Sequence, residues 1–181
     1  MQRKDITAVA MVWLALAPAA TAASPCQMDL DGQFARSIVH AVTTYPRFTI
    51  FDDVNVQGDG GAVTLTGKVT MPFKKDEIAR RVAAVDGVTS VRNEVEVLPV
   101  SIVDDNLRQR TARAIYGNSA FWRYAALPNP PIHILVEGSR VTLTGIVDSE
   151  VDRTLARSLA TGLGEISVTN CLRIVPRPSL F

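Results

Sequence analysis

The stretch Val63-Thr64-Leu65-Thr66-Gly67 recurs word for word as Val141-Thr142-Leu143-Thr144-Gly145, and what surrounds each copy decides the fold. The first copy runs through VTLTGKV (63–69) into the helical stretch DEIARRVAAVDGV (76–88) and then SVRNEVEVLP (90–99). The second runs through VTLTGIV (141–147) into DRTLARSLATGLGEI (152–166) and then SVTNCLRIVP (167–176). Upstream of them, DLDGQFARSIVHAV (29–42) and DDNLRQRTARAIY (104–116) are both short amphipathic stretches that begin with Asp. Gly67 to Gly145 is 78 positions, whereas Asn93 to Asn170 and Pro99 to Pro176 are 77, so one residue is lost between them. The turn TMP (70–72) is the expected place of the loss. Self-similarity over such a span reads as a duplicated unit of roughly 70 residues; two copies are too few to stack as a solenoid.

Each unit reads helix, strand, strand, helix, strand. In the first, Phe34, Ile38, Ala41 and Val42 fall at helical spacing, with Asp31 as the expected N-cap. TIFDDVNVQ (49–57) and AVTLTGKV (62–69) flank the turn GDGG, which is hairpin chemistry. Ile78, Val82 and Val85 give the second helix one apolar stripe, and Gly87 is expected to end it. SVRNEVEVL alternates, with Val91, Val95 and Val97 inward. The second unit follows suit: a helix from about Asp105, strands 131–138 and 140–147, a helix from Asp148, and a last strand to Val175. The expected fold class is α+β: two tandem αββαβ sandwiches, each a three-stranded mixed sheet with two helices on one face. The strand–helix–strand part makes its two strands parallel. The units are expected at 29–99 and 105–176, with a linker at 100–104 and a tail at 177–181. Gly67 and Gly145, inside strands, read as bulges or close backbone approaches. Asn93 and Asn170, on the inward face of each last strand, read as structural satisfiers of nearby backbone groups.

The N-terminus carries Arg3 and Lys4, an apolar run from Ile6 to Ala17 and the small residues Ala20-Thr21-Ala22. That is the pattern of a secretory signal over residues 1–22, and the run is too short to span a bilayer. Cys26 does not read as a lipidation site, because Pro25 stands where a small residue belongs. The whole chain is formally +1, and without residues 1–22 it is neutral, which argues against nucleic acid held by phosphate neutralisation. Residues 29–104 hold 8 basic and 11 acidic side chains, and residues 105–181 hold 9 and 6, so the second unit is the basic one. The two cysteines, Cys26 and Cys171, lie in a chain addressed to an oxidising compartment. Cys171 falls on the outward face of the last strand with Thr169 and Arg173, opposite Val168, Asn170, Leu172 and Ile174. A disulfide between the two cysteines and two unrelated thiols are both open readings.

Catalytic patterns are absent from the sequence. His40 and His133 belong to different units and make no metal-ligand spacing with the cysteines. Asp52 and Asp53 are adjacent in a strand, so their side chains point to opposite faces and form no working carboxylate pair; they read as part of a solvated hairpin. Ser37 and His40 share a helix face with no third member. GDGG opens no helix, so it is a turn and not a phosphate cradle. An enzyme is not expected, and no cofactor or metal is called for.

VTLTGKV, a helix and GVTSVRNEVEV, followed by VTLTGIV, a helix and ISVTNCLRIV, resemble the tandem BON domain (bacterial OsmY and nodulation) from about Asp29 to Val175. The resemblance implies the αββαβ fold and a periplasmic or membrane-associated protein of the bacterial envelope. It also implies links to phospholipid binding, envelope integrity and osmotic protection, and it brings no catalytic residues. The chain departs from a compact repeat between Tyr116 and Pro131, where GNSAFWRYAALPNP lengthens the first connection of the second unit. Phe121, Trp122, Arg123 and Tyr124 within it read either as partly packed under the loop or as an interfacial anchor. Trp and Tyr favour the headgroup zone and Arg contacts phosphate. Arg110 and Arg113, on the outer side of the preceding helix, extend this expected lipid-binding site. The expected partner is an anionic phospholipid surface, bound peripherally. The alternative is a protein-binding adaptor or chaperone-like factor using the same aromatics on an envelope protein.

Overall fold

The computed structural model describes residues 32–164 and 167–175. In the first unit, α1 (Gln33–Thr43) leads to β1 (Asp53–Asp59) and β2 (Ala62–Val69), which pair antiparallel. Then α2 (Pro72–Ala83) crosses back so that β3 (Ser90–Asn93) and β4 (Glu96–Val97) lie parallel to β2. β2 is the central strand. The second unit repeats this with α3 (Ile102–Tyr116), a 3₁₀ turn (Ser119–Phe121), α4 (Trp122–Ala125), β5 (Ile132–Glu137), β6 (Arg140–Val147), α5 (Glu150–Thr161), β7 (Ser167–Asn170) and β8 (Arg173–Ile174). β6 is central, antiparallel to β5 and parallel to β7 and β8. The expected class, two αββαβ units with mixed sheets, is what the chain adopts.

Each sheet carries both helices on one face because every element has one apolar side. Ile38 and Val42 of α1 and Ile78 and Val82 of α2 close over Val54, Val56, Val63, Leu65 and Val69. Leu107, Ile115, Ala156 and Ala160 do the same over Ile132, Ile134, Val136, Val141, Leu143 and Val147. Gly67 and Gly145 hold left-handed backbone, φ 113° and 102°, inside the central strands. A Cβ there would run into the Asp53 carbonyl in one unit and the Pro131 carbonyl in the other. The edge strand thus comes too close for any other residue.

The third strand is one strand broken once. Asn93 Nδ2 donates to the Lys75 carbonyl of α2 (3.0 Å), and its Oδ1 accepts from Val95 N (3.2 Å). Asn170 repeats both bonds, to Arg153 O (2.9 Å) and from Leu172 N (3.2 Å). The side chain thereby takes up backbone groups that the ladder drops at the break. Beyond the break the alternation shifts: Val95 and Leu98 are buried while Val97 is exposed, and Leu172 is buried while Ile174 is exposed. The expected inward placement of Val97 and Ile174 is therefore corrected.

Helix ends also differ from expectation. α1 is capped by Gly32 without a side-chain bond, and Asp31 lies outside the described residues. α3 begins at Ile102, three residues before Asp105, because Ser101 Oγ accepts from Asp104 N (3.2 Å). α5 begins at Glu150, where Ser149 Oγ accepts from Asp152 N (3.1 Å), and α2 ends at Ala83, ahead of Gly87. The N-caps Met71 and Ser149 keep the spacing of the glycines, and so do the helix ends Ala83 and Thr161. The lost residue therefore falls after the second helix, not in the TMP turn.

The two units meet through the segment between α1 and β1. Ile134 N donates to the Ile50 carbonyl (2.7 Å), and Phe51 packs against the second core. Phe48 stacks obliquely on His133, ring centres 5.5 Å apart. Asn129 Nδ2 donates to Thr43 O (3.1 Å), and Lys68 Nζ bridges Glu96 (3.2 Å) and Glu137 (2.5 Å). The outward face of the second sheet is thus covered at Leu135, Thr144 and Cys171, all buried. Cys171 is disulfide-bonded and buried, not on an open outward face; Cys26, its expected partner, lies outside the described residues.

Candidate functional site

The long connection after α3 folds into the 3₁₀ turn and α4. Asn118 Oδ1 caps the turn by accepting from Ala120 N (3.0 Å). Phe121 and Tyr124 lie three apart, hence on one face of this helical piece, and that face turns inward. Both are 0% exposed, with ring centres 5.8 Å apart. Trp122, between them, must point the other way, and it is 74% exposed. Of the four residues expected to bind lipid, Phe121 and Tyr124 are packed under the loop, as the other reading of this stretch had it, and Trp122 is the aromatic that stays outward. Two aromatics fill the second core and hold the third in solvent.

A hydrogen-bonded network fixes this platform. Tyr124 OH donates to Asp152 Oδ2 (2.9 Å) and accepts from Asp148 N (2.8 Å) and Arg123 Nη2 (3.1 Å). Burial pushes the Tyr124 phenol above its ordinary range. Arg123 also bonds Asp152, faces Asp148 (3.5 Å) and lies over the Tyr124 ring at 4.8 Å. Its hydrogen bond with Tyr124 chiefly, and the acids beside it, hold the guanidinium above its usual value. Tyr116 at the other end of the connection donates to Ile132 O (2.5 Å), and burial drives its phenol well up.

Asp152 is the third residue of α5, and Lys74 is the third residue of α2. In the first unit Lys74 Nζ donates to Asp52 Oδ2 (2.6 Å) in the connection before β1. Asp52 also accepts from Thr49 N (2.8 Å), Thr49 Oγ1 (2.7 Å), Thr70 N (2.8 Å) and Thr70 Oγ1 (2.9 Å). It is 0% exposed, which corrects its expected place in a solvated hairpin; Asp53 is buried too. Each unit therefore ties its second helix to its first connection at the same place with the charges exchanged: Lys74 to Asp52 in one, Asp152 to Arg123 in the other.

The expected arginine cluster is divided. Arg113 lines a shallow groove with Tyr116, Ala125 and Pro130, beside α4. Arg110 Nη2 donates to the Leu163 carbonyl (2.8 Å) beyond the C-terminal end of α5, while Arg123 holds the N-terminal end. A helix of that length separates the two by about 18 Å. Arg113 thus stays beside α4, which carries Trp122, and Val151 in the first turn of α5 is 74% exposed as well.

The family model for the BON domain matches residues 35–99 and 104–176, which is most of the chain. The chain belongs to the BON family. No curated protein matches it. Among solved structures it is similar to two of CdsD, a structural protein of the type III secretion system of Chlamydia trachomatis. One, of its C-terminal domain, is 16% identical, covers 81% of this chain and 100% of that one, with a TM-score of 0.28. The other, also 16% identical, covers 78% and 92%, again with a TM-score of 0.28. Likeness at that level carries no argument about this BON protein's function.

Elsewhere in this tandem BON chain, Ser37 Oγ donates to Gln33 O (3.2 Å), and His40 is exposed in α1. No group of three or more His, Cys, Asp or Glu able to hold a metal is present among the described residues. No described helix is long and apolar enough to cross a membrane. His133, read from sequence as an isolated polar residue, instead lies in the junction between the units. Only the covering of a sheet's outer face by a second unit makes it special, and a single strand holds no signal of that.

Proposed function

We propose that this BON protein is a non-catalytic periplasmic envelope protein that docks peripherally on phospholipid through its second unit, in support of envelope integrity or osmotic tolerance. The observation that carries the reading is Trp122, held in solvent by two buried neighbours. An exposed indole on a fixed platform suits the headgroup zone, where one end is wet and the other apolar. Arg123 is spent on Asp148 and Asp152, and Arg110 stands apart, so Arg113 supplies the charge, about 1 kcal/mol at an anionic surface. Partial burial of Trp122 and Val151 adds about 3 kcal/mol, which brings one copy to millimolar-grade attraction.

The test is Trp122 emission in a Trp13→Phe background, with co-sedimentation. Anionic vesicles should shift the emission blue, and zwitterionic vesicles should do so about fivefold more weakly, the worth of one arginine. Trp122→Ala should abolish co-sedimentation. Unchanged emission with no co-sedimentation overturns the lipid reading. A second reading, a polypeptide partner, is favoured by two neutralised pairs, Arg123 with Asp152 next to Trp122 in the chain and Arg153 with Glu150 (2.9 Å) on the first turn of α5. A buried aromatic rimmed by satisfied polar groups is how protein interfaces concentrate their affinity.

A further inference from the structure

A cavity of about 410 Å³ lies between the two units, within the range of small-molecule sites. Its walls come from both. α1 gives Val39 and Val42, β1 gives Val54 and Val56, and the second unit gives Pro131 and Ile146. The polar groups set among them are incompletely satisfied. Thr144 is 6% exposed, and its Oγ1 has no hydrogen-bond partner; neither has the buried Nδ1 of His133. These two residues are cross-strand neighbours on β5 and β6, and both line the cavity.

The third polar group is the buried carboxylate of Asp53. Among the described residues its one hydrogen bond is a long one from Asn55 Nδ2 (3.4 Å), and no Lys or Arg lies within ion-pair distance of it. The residue paired with it across the strands, Lys68, turns instead to Glu96 and Glu137. Arg173 also lines the cavity and has a partner of its own. The other side of the His133 ring faces the carbonyls of Asp52 and Thr49. The carboxylate, the imidazole nitrogen and the hydroxyl named here can each accept a hydrogen bond. A buried carboxylate without a cation is costly, and so is a buried hydroxyl without a partner.

A ligand that answers both deficits carries a positive charge and several N–H donors on an apolar body. A primary ammonium has three donors and no acceptor. We propose that the junction cavity binds a small amphipathic primary amine, its ammonium among Asp53, Thr144 and His133 and its body against Val39, Val42, Val56 and Ile146. This site is separate from Trp122 and does not depend on the lipid reading.

The probes are 2-phenylethylamine, 2-phenylethanol and 3-phenylpropanoate, which share a body and differ in the head group. Methyl NMR of the whole protein reads binding at the valine, isoleucine and threonine methyls of the cavity. The amine should give saturable shifts confined to those methyls, and both other probes should bind roughly tenfold more weakly or worse, the worth of a charged hydrogen bond. Asp53→Asn should cost the amine a similar factor. Thr144→Val, which keeps the volume, should weaken the amine and leave the alcohol's weaker binding less affected. Ile146→Trp, placed at the rim, should block all three. No saturable shift of the unmodified protein up to about 10 mM amine overturns the proposal. So does equal or tighter binding of the carboxylate, a comparison that needs no variant to fold.

Discussion

Replacing Lys74 by Met removes an ammonium and keeps most of the stem, so the effect is read at Asp52. That carboxylate is fully buried and would lose its ion-pair partner. Removing one member of a buried pair costs about 3–5 kcal/mol, because the other charge is left in place. The four bonds from Thr49 and Thr70 survive, which sets the expectation at the lower end, about 3 kcal/mol. The turn at 49–52 presents the Ile50 carbonyl and Phe51 to the second unit, so the junction should loosen as well. The loss should depend on pH. Burial by itself pushes the Asp52 carboxyl up, but hydrogen bonds from Lys74, Thr70 and Thr49, with the charge of Lys74, hold it below its ordinary value. A depressed carboxyl contributes stability above its unfolded pKa of about 3.9 and loses it as the pH falls through the folded value. Without Lys74 the folded carboxyl takes a proton more readily, so the variant's deficit should narrow as pH falls toward about 4. Urea unfolding of parent, Lys74→Met, Asp52→Asn and the double variant, at neutral pH and near that value, gives both the cost and the coupling. A loss under about 1 kcal/mol that does not change with pH would refute the role given to this pair.

Gly67→Ala and Gly145→Ala should each destabilise by about 2–4 kcal/mol, since a Cβ meets the neighbouring carbonyl and the positive φ is strained; parent-like unfolding curves would contradict the account of both glycines. His133 should make the parent less stable in mild acid. Burial, outweighing Asp53 beside it, lowers its pKa, so the unfolded chain takes the proton first and stability falls as pH drops through about 6.5. Thermal unfolding between about pH 7 and pH 5 should show that slope in the parent and lose it in His133→Gln; equal slopes would place the titration elsewhere.

The sequence by itself determined the duplication, the order of elements, the parallel crossover and the glycine and asparagine positions. Each of those rests on local rules: a period of two or of 3.6, a turn residue, or a spacing repeated twice. The direction of FWRY was open in the sequence, because helical geometry says that Phe121 and Tyr124 share a face without saying which way it turns. The outward turn of Val97 and Ile174 escaped the alternation rule, since Val95 and Leu172 keep the inward face past the break and the phase changes only after them. Asp52 read as solvated because its donors lie on Thr70 and Lys74, joined to it only by the fold. His133 and Thr144 read as outward residues of a half-exposed sheet, which they are within their own unit. Strand periodicity assigns a side chain to a face, but what covers that face depends on where a second unit docks, and only the tertiary structure decides that.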